Sequence, residues 1–94
     1  MERLDDAAIH RALAELPGWK FDDGVLQRSL EFRDFREAFG FMTTCALIAE
    51  AMDHHPDWTN VYRRVEIRLS THSIGGVTER DLRLAAEISA RVPV

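Results

Sequence analysis

Three of the four histidines in this chain lie between positions 54 and 72. His54 and His55 directly precede Pro56, and His72 follows further along the chain. An imidazole titrates near neutral pH, so histidine is well suited to accept and donate protons in a catalytic site. If the three side chains meet, they form a site that can move two protons in one reaction.

The helix that precedes these histidines is predicted from helical spacing of apolar residues behind a capping Asp34. Pro56 disfavours a helical conformation at His55, so the helix must end near residues 53–55. Glu50 lies four residues before His54, and the pair would share a face if the helix continues that far. The predicted buried stripe of this helix contains Phe35, Phe39, Met42, Ala46, Ala49 and Met52.

The segment after Pro56 allows two structures, and they differ in where they place His72. One strand over residues 60–72 would span about 40 Å and would separate His72 from the other two histidines. A hairpin that turns at residues 63–64 would instead bring His55 opposite His72, with Cβ atoms roughly 5 Å apart. We favour the hairpin because it puts the apolar side chains on one face. Its predicted pairs are Tyr62 with Val65, Asn60 with Ile67 and Trp58 with Leu69.

The remaining sequence predicts two more helices and a first hairpin. Asp5 or Asp6 caps the first helix, and residues 19–21 and 25–31 form strands on either side of a turn. Thr78 opens a capping box with Asp81 before a third amphipathic helix. We therefore predict one α+β domain over residues 1–94, a four-stranded antiparallel sheet with three helices packed on one face.

Composition narrows the class of protein. The hydrophobic fraction of 46% and the charged fraction of 30% are ordinary for a globular domain. A net charge of −4 disfavours direct binding to nucleic acid. No apolar stretch is long enough to cross a bilayer, and no signal pattern opens the chain. A single cysteine, Cys45, cannot form an internal disulfide, so we expect a reduced, cytoplasmic protein with Cys45 in its core.

The spacing of the polar residues resembles the signature of the pterin-4a-carbinolamine dehydratase family. That signature joins a charged residue, a His-His-Pro triplet, an aromatic residue, a further histidine and an aspartate. The matching positions are Glu50, His54, His55, Pro56, Tyr62, His72 and Asp81. Three longer segments are similar to the family as well, namely FRDFREAFGFM, HHPDWTNVY and LSTHSIGGVTERD.

The resemblance implies an activity and a set of partners. Members of the family dehydrate 4a-hydroxytetrahydropterin to quinonoid dihydropterin, which recycles the cofactor of aromatic amino acid hydroxylases. The resemblance also implies a sheet with three helices on one side, a homodimer or homotetramer, and no metal or redox cofactor. We accordingly expect a small-molecule pterin as the substrate, a functional link to a hydroxylase, and no membrane or nucleic acid partner.

The resemblance also assigns roles to individual residues. His54 and His72 become the acid and base candidates, and His55 chiefly holds the pterin. Asp81 belongs to the family signature, but we expect it to act mainly as the acidic partner of Thr78 in the capping box. The full set of residues expected to bind the substrate is Glu50, His54, His55, Pro56, Thr71, His72, Ser73, Ile74 and Asp81.

Two rival functions stay open at this point. Three histidines with Glu50 or Asp81 nearby would supply zinc ligands, although adjacent histidines rarely bind one metal and no standard zinc spacing is present. A non-catalytic dimerising partner protein of the same fold is the second rival, but it would not need all three histidines. Tyr62 and Trp58 are expected in the core, and His10 on the surface.

Overall fold

The computed structural model describes residues 1–93, which form three helices and one four-stranded antiparallel sheet. The predicted α+β fold is therefore confirmed. The sheet has the order β1-β2-β4-β3, so β4 lies between β2 and β3. In chain order the elements are α1 (Asp6–Leu13), β1 (Lys20–Asp22), β2 (Val25–Glu31), α2 (Phe35–Met52), β3 (Asp57–Val61), β4 (Arg64–Leu69) and α3 (Glu79–Ser89).

Strand β4 shows how the sheet divides into a buried and an exposed face. Val65, Ile67 and Leu69 are at most 1% exposed, whereas the charged residues between them face outward. Alternation of this kind places successive side chains on opposite faces of the sheet. The buried face packs with apolar side chains of all three helices in one core, which includes Ile9, Leu26, Ala38, Phe41, Cys45, Leu84 and Ile88.

Each helix begins at a side-chain cap that the sequence predicts. The carboxylate of Asp5 accepts a hydrogen bond from the backbone N–H of Ala8, and Asp34 accepts one from Glu37. Thr78 and Asp81 form the predicted capping box at the start of α3. No helix within residues 1–93 is long and apolar enough to cross a membrane.

The hairpin of β3 and β4 forms, but its turn lies one residue earlier than predicted. Val61 pairs with Arg64, so the loop residues are 62–63 and the register differs by two residues from the predicted one. Strand β2 explains the difference. Glu31 of β2 pairs with Arg64, so Arg64 belongs to β4 and not to the turn. The side-chain amide of Asn60 also donates to the backbone carbonyl of Tyr62, within the new turn, and to that of Arg64, directly after it.

A shift of two residues keeps every side chain on its predicted face but changes its partner. Trp58 lies opposite Ile67 instead of Leu69, and it stays packed against the core. His55 is consequently not paired with His72. Tyr62 occupies the turn with a φ of 53° and is 65% exposed, so the expectation that it lies in the core was wrong.

Helix α2 is rotated relative to the stripe predicted for it. Its buried residues are Ala38, Phe41, Cys45 and Ala49, and the ring of Phe41 packs 4.9 Å from that of Phe32. Phe35 and Phe39, both predicted to be buried, are 46% and 55% exposed, and Ala46 is exposed as well. The helix is apolar on more than one side, so periodicity alone did not decide which side faces the core.

Candidate active site

The end of α2 positions the first two histidines. Asp53 adopts the left-handed conformation at the C-terminal cap, with a φ of 52°, and so ends the helix. The backbone N–H of His54 then donates to the carbonyl of Ala49 at 3.0 Å. This turn directs the two adjacent imidazoles to different surroundings, because the His54 side chain is 8% exposed and that of His55 is 57% exposed.

His54 forms a short hydrogen bond to a buried carboxylate. Its Nε2 lies 2.6 Å from Oδ1 of Asp81, which is completely buried. The other carboxylate oxygen, Oδ2, accepts from the hydroxyl of Thr71 at 2.8 Å and from the backbone N–H of Thr78 at 2.9 Å. Asp81 therefore caps α3 and fixes the imidazole of His54 at the same time.

The bond to Asp81 determines which nitrogen of His54 is free to accept a proton. A carboxylate oxygen accepts, so Nε2 carries the proton and Nδ1 is the basic nitrogen of the neutral ring. Nδ1 makes no hydrogen bond to residues 1–93, yet no buried side-chain nitrogen or oxygen in that range lacks a partner. It follows that Nδ1 is not fully buried and is free to accept a proton.

His55 is oriented by a different carboxylate. Its Nε2 lies 2.8 Å from Oε1 of Glu50, and both side chains are largely exposed. The pairing of Glu50 with His54 considered from sequence is therefore wrong, since the turn at Asp53 moves His54 away from it. An exposed pair of this kind contributes little stability.

A tight loop after β4 carries the third histidine. The backbone N–H groups of Ile74 and Gly75 both donate to the carbonyl of Thr71, and Thr71 pairs with Gly76 as an isolated bridge. Gly75 has a φ of 79°, a conformation that favours glycine. His72 lies within this turn and is exposed.

The three histidines line one cleft with a volume of about 360 Å³. They meet because of how two strands end. Strand β3 begins directly after Pro56, and β4 ends just before the loop of His72. These two strand ends lie side by side, with Asp57 opposite Arg68. Pro56, Thr71 and Ser73, which the resemblance assigns to substrate binding, also line the cleft. Glu50, Ile74 and Asp81 do not, and Asp81 instead contacts His54.

Four cleft residues were not singled out from the sequence. They are Asp53, Asp57, Ser70 and Arg80. Arg80 lies in the first turn of α3, between the two members of the capping box. Its position directly before Asp81, a residue of the family signature, could have identified it as a site residue. The other three directly flank predicted site residues along the chain. Together with the histidines, they give the cleft charged groups of both signs.

The residues do not form a metal site of the kind considered from sequence. Within residues 1–93, no three side chains of histidine, cysteine, aspartate or glutamate lie close enough together to hold a metal ion. Nε2 of His54 and Nε2 of His55 each face a separate carboxylate. Each of these two imidazoles is thus oriented by its own carboxylate.

The fold and the cleft place the chain in the class of small α+β domains that carry a histidine-lined pocket. Residues 2–91 match the model of the family described as Pterin 4 alpha carbinolamine dehydratase. The chain belongs to this family, as the resemblance in its sequence implies.

Known proteins of the family are similar over nearly the whole chain. A protein of Nitrobacter winogradskyi named "Putative pterin-4-alpha-carbinolamine dehydratase" is 56% identical, over 96% of this chain and 91% of its own length. A protein of the same name from Afipia carboxidovorans is 57% identical, over 94% and 93%. The crystal structure of a transcriptional coactivator/pterin dehydratase from Brucella melitensis matches with a TM-score of 0.95 at 45% identity, over 98% of this chain and 100% of that one.

Proposed function

We propose that this chain dehydrates a 4a-hydroxytetrahydropterin to quinonoid dihydropterin and water by histidine acid–base catalysis. The convergence of His54, His55 and His72 on one cleft is the observation that carries the proposal. Membership in the pterin carbinolamine dehydratase family supports the choice of substrate.

The reaction requires two proton transfers at adjacent atoms of the pterin. The protonated imidazole of His72 donates to the 4a-hydroxyl, and the bond from C4a to oxygen breaks as water leaves. The nitrogen lone pair of N5 forms the new double bond to C4a, and the proton of N5 passes to Nδ1 of His54. Each such transfer contributes typically about 10²- to 10⁴-fold to the rate.

Asp81 acts in this scheme through His54. A buried carboxylate on one ring nitrogen holds the imidazole in the tautomer whose other nitrogen is basic, and it stabilises the imidazolium that forms. The 2.6 Å contact between Nε2 and Oδ1 supports this assignment. Asp81 is a positioning residue, since His54 lies between it and the cleft.

The remaining expected residues serve to hold the pterin. We assign His55, oriented by Glu50, to the face or edge of the ring, together with Pro56. We assign to the planar heterocycle the backbone groups of residues 72–74 that the hydrogen bonds within this loop do not use, since small-molecule sites commonly bind through a few polar groups. No metal or redox cofactor enters the proposed reaction.

We further propose that the protein is a homodimer or homotetramer in the cytoplasm and that a hydroxylase supplies its substrate. The exposed apolar side of α2 supports self-association. The rings of Phe35 and Phe39 pack against each other on the surface with centroids 5.6 Å apart, and Leu47 is 69% exposed. Exposed apolar patches of this kind mark interaction sites.

The activity is tested with enzymatically generated 4a-hydroxytetrahydropterin. Its ultraviolet spectrum is followed with and without the protein, because the intermediate also loses water spontaneously. We expect the protein to accelerate the appearance of quinonoid dihydropterin in proportion to its concentration. A decay rate identical to the spontaneous one would contradict the proposed activity.

A further inference from the structure

A second cavity adjoins the histidine cleft. Ser70 and His72 line both cavities, so the two share a wall. The second cavity has a volume of about 350 Å³. Its other lining residues are Asp23, Gly24, Val25, Gly75 and Gly76.

Two glycine-containing turns keep this second cavity open. Asp23 and Gly24 form the turn between β1 and β2, with φ angles of 53° and 77°, as a two-residue hairpin of the primed type requires. A Cβ atom added at Gly24 or at Gly75 would meet no atom within 4 Å. Both turns therefore face space that no side chain of residues 1–93 fills.

The charges of the two cavities differ. The histidine cleft is lined by Arg80 as well as by carboxylates. Among residues 1–93, the second cavity is lined by one acidic residue, Asp23, and by the shared His72, but by no lysine or arginine. The carboxylate of Asp23 is 83% exposed, and Oδ2 lies 3.8 Å from Arg68, which does not line the cavity. Its oxygens are thus accessible to a ligand that donates hydrogen bonds.

The covalent structure of a pterin relates the second cavity to the first. C6 is bonded to N5, and N5 is bonded to C4a, so C6 is one bond from N5 and three bonds from the 4a-hydroxyl oxygen that His72 protonates. His72 stands at the boundary between the cavities. A ring that reacts beside His72 can therefore direct the substituent on C6 into the second cavity.

We infer that the second cavity holds the C6 substituent of the substrate, and that Asp23 selects an uncharged hydroxylated substituent over an anionic one. The hydroxyls of such a chain donate to the Asp23 carboxylate, whereas a phosphate or carboxylate is repelled by it. This inference rests on the proposed function, because it takes a pterin as the occupant of the histidine cleft.

The test compares two substrates that differ only at the end of the C6 substituent. One 4a-hydroxytetrahydropterin carries a dihydroxypropyl group, and the other carries the same group with a terminal phosphate. We expect Asp23→Asn to raise the ratio of kcat/KM for the phosphorylated substrate to that for the neutral one by roughly threefold to tenfold at low salt, as removal of one nearby charge predicts. Asparagine tolerates the left-handed conformation, so the turn is kept.

Asp22→Asn is the matched control. The substitution removes the same charge from the same hairpin, but Asp22 lines neither cavity. It should change the ratio clearly less than Asp23→Asn does, because Asp22 does not line the second cavity. An unchanged ratio in Asp23→Asn, or an equal change in both variants, would overturn the inference.

The inference can fail independently of the proposed function. If the unmodified protein accelerates neither substrate, the proposed dehydratase activity has failed. Binding of stable 7,8-dihydropterins with the same two C6 substituents, measured by fluorescence, then tests the cavity alone. A ratio of affinities that shifts clearly more in Asp23→Asn than in Asp22→Asn supports the subsite, and no such difference refutes it.

Discussion

Nε2 of His54 lies 2.6 Å from Oδ1 of Asp81, and both side chains are buried. The two residues come from different helix ends, His54 just after α2 and Asp81 in the first turn of α3. The carboxylate of Asp81 thus both stabilises the start of α3 and orients His54, the proposed catalytic base.

Asp81→Asn is expected to lower kcat by about 10²- to 10⁴-fold, by analogy with the loss of the orienting aspartate in other catalytic histidine systems. The amide can donate to Nε2 instead of accepting from it, which favours the wrong tautomer of His54. Steady-state kinetics over a range of pH would show a changed kcat profile as well as a lower maximum.

The control for that variant is Thr78→Ala. It removes the hydroxyl that accepts from the backbone N–H of Arg80 and contacts the hydroxyl of Thr71, but it keeps both the bond from the backbone N–H of Thr78 to the Asp81 carboxylate and the bond from Thr71 to that carboxylate. It should cost about 1 kcal/mol in the free energy of unfolding. Its kcat should stay within about threefold of the original value. A comparable loss of kcat in both variants would show that Asp81 acts only through stability.

The three cleft histidines are expected to differ in their contributions to turnover. His54→Ala and His72→Ala should each lower kcat by about 10²- to 10⁴-fold, because each removes one proton transfer. His55→Ala should chiefly raise KM, since His55 is assigned to pterin binding. His10→Ala is the matched control, because His10 is exposed on α1 and lines no part of the cleft. Equal losses of kcat at His54, His55 and His72 would refute the division of roles.

Cys45 is expected to be unreactive in the folded protein. It is 1% exposed, and burial raises the pKa of its thiol to about 11 from 9.0, although Arg91 acts in the opposite direction. The thiolate is the reactive form, so a disulfide reagent at pH 8 should label the native protein slowly and the unfolded protein at once. Rapid labelling under native conditions would contradict this placement.

The same shift predicts a pH dependence of stability. The folded state binds the thiol proton more tightly than the unfolded state, so this contribution is fully present below pH 9. It is lost as the pH rises through the folded value of about 11. Denaturant unfolding at several pH values should show this decline, and Cys45→Ala should reduce it.

Self-association is expected to depend on the exposed side of α2. Phe39→Ser should shift the protein toward monomers in sedimentation measurements, because Phe39 is 55% exposed and its ring packs against that of Phe35. Tyr62→Ser is the control, since Tyr62 is 65% exposed in the turn between β3 and β4. An unchanged sedimentation coefficient in Phe39→Ser, or an equal change in both variants, would argue against α2 as the interface.

Features with local causes were predictable from the sequence. Caps at Asp34 and Thr78 depend on contacts within a few residues, and the alternation along β4 is visible in the chain itself. The hairpin that brings the histidines together was favoured for the correct reason, namely that its apolar side chains share a face.

Features decided by distant parts of the chain were not predictable. The pairing of Arg64 with Glu31 across the sheet moved the turn, and core packing of Phe41 on Phe32 fixed the rotation of α2. The partner of His54 was missed in the same way, because a contact between residues 27 positions apart outweighed the nearby Glu50.

The most direct test of the account follows the imidazole resonances of the four histidines while a non-reacting 7,8-dihydropterin is added. We predict that the C–H signals of His54, His55 and His72 shift together with one affinity, whereas those of His10 stay in place. Pterin-dependent shifts confined to other parts of the protein, or no shifts at all, would contradict a cleft in which three histidines surround one pterin.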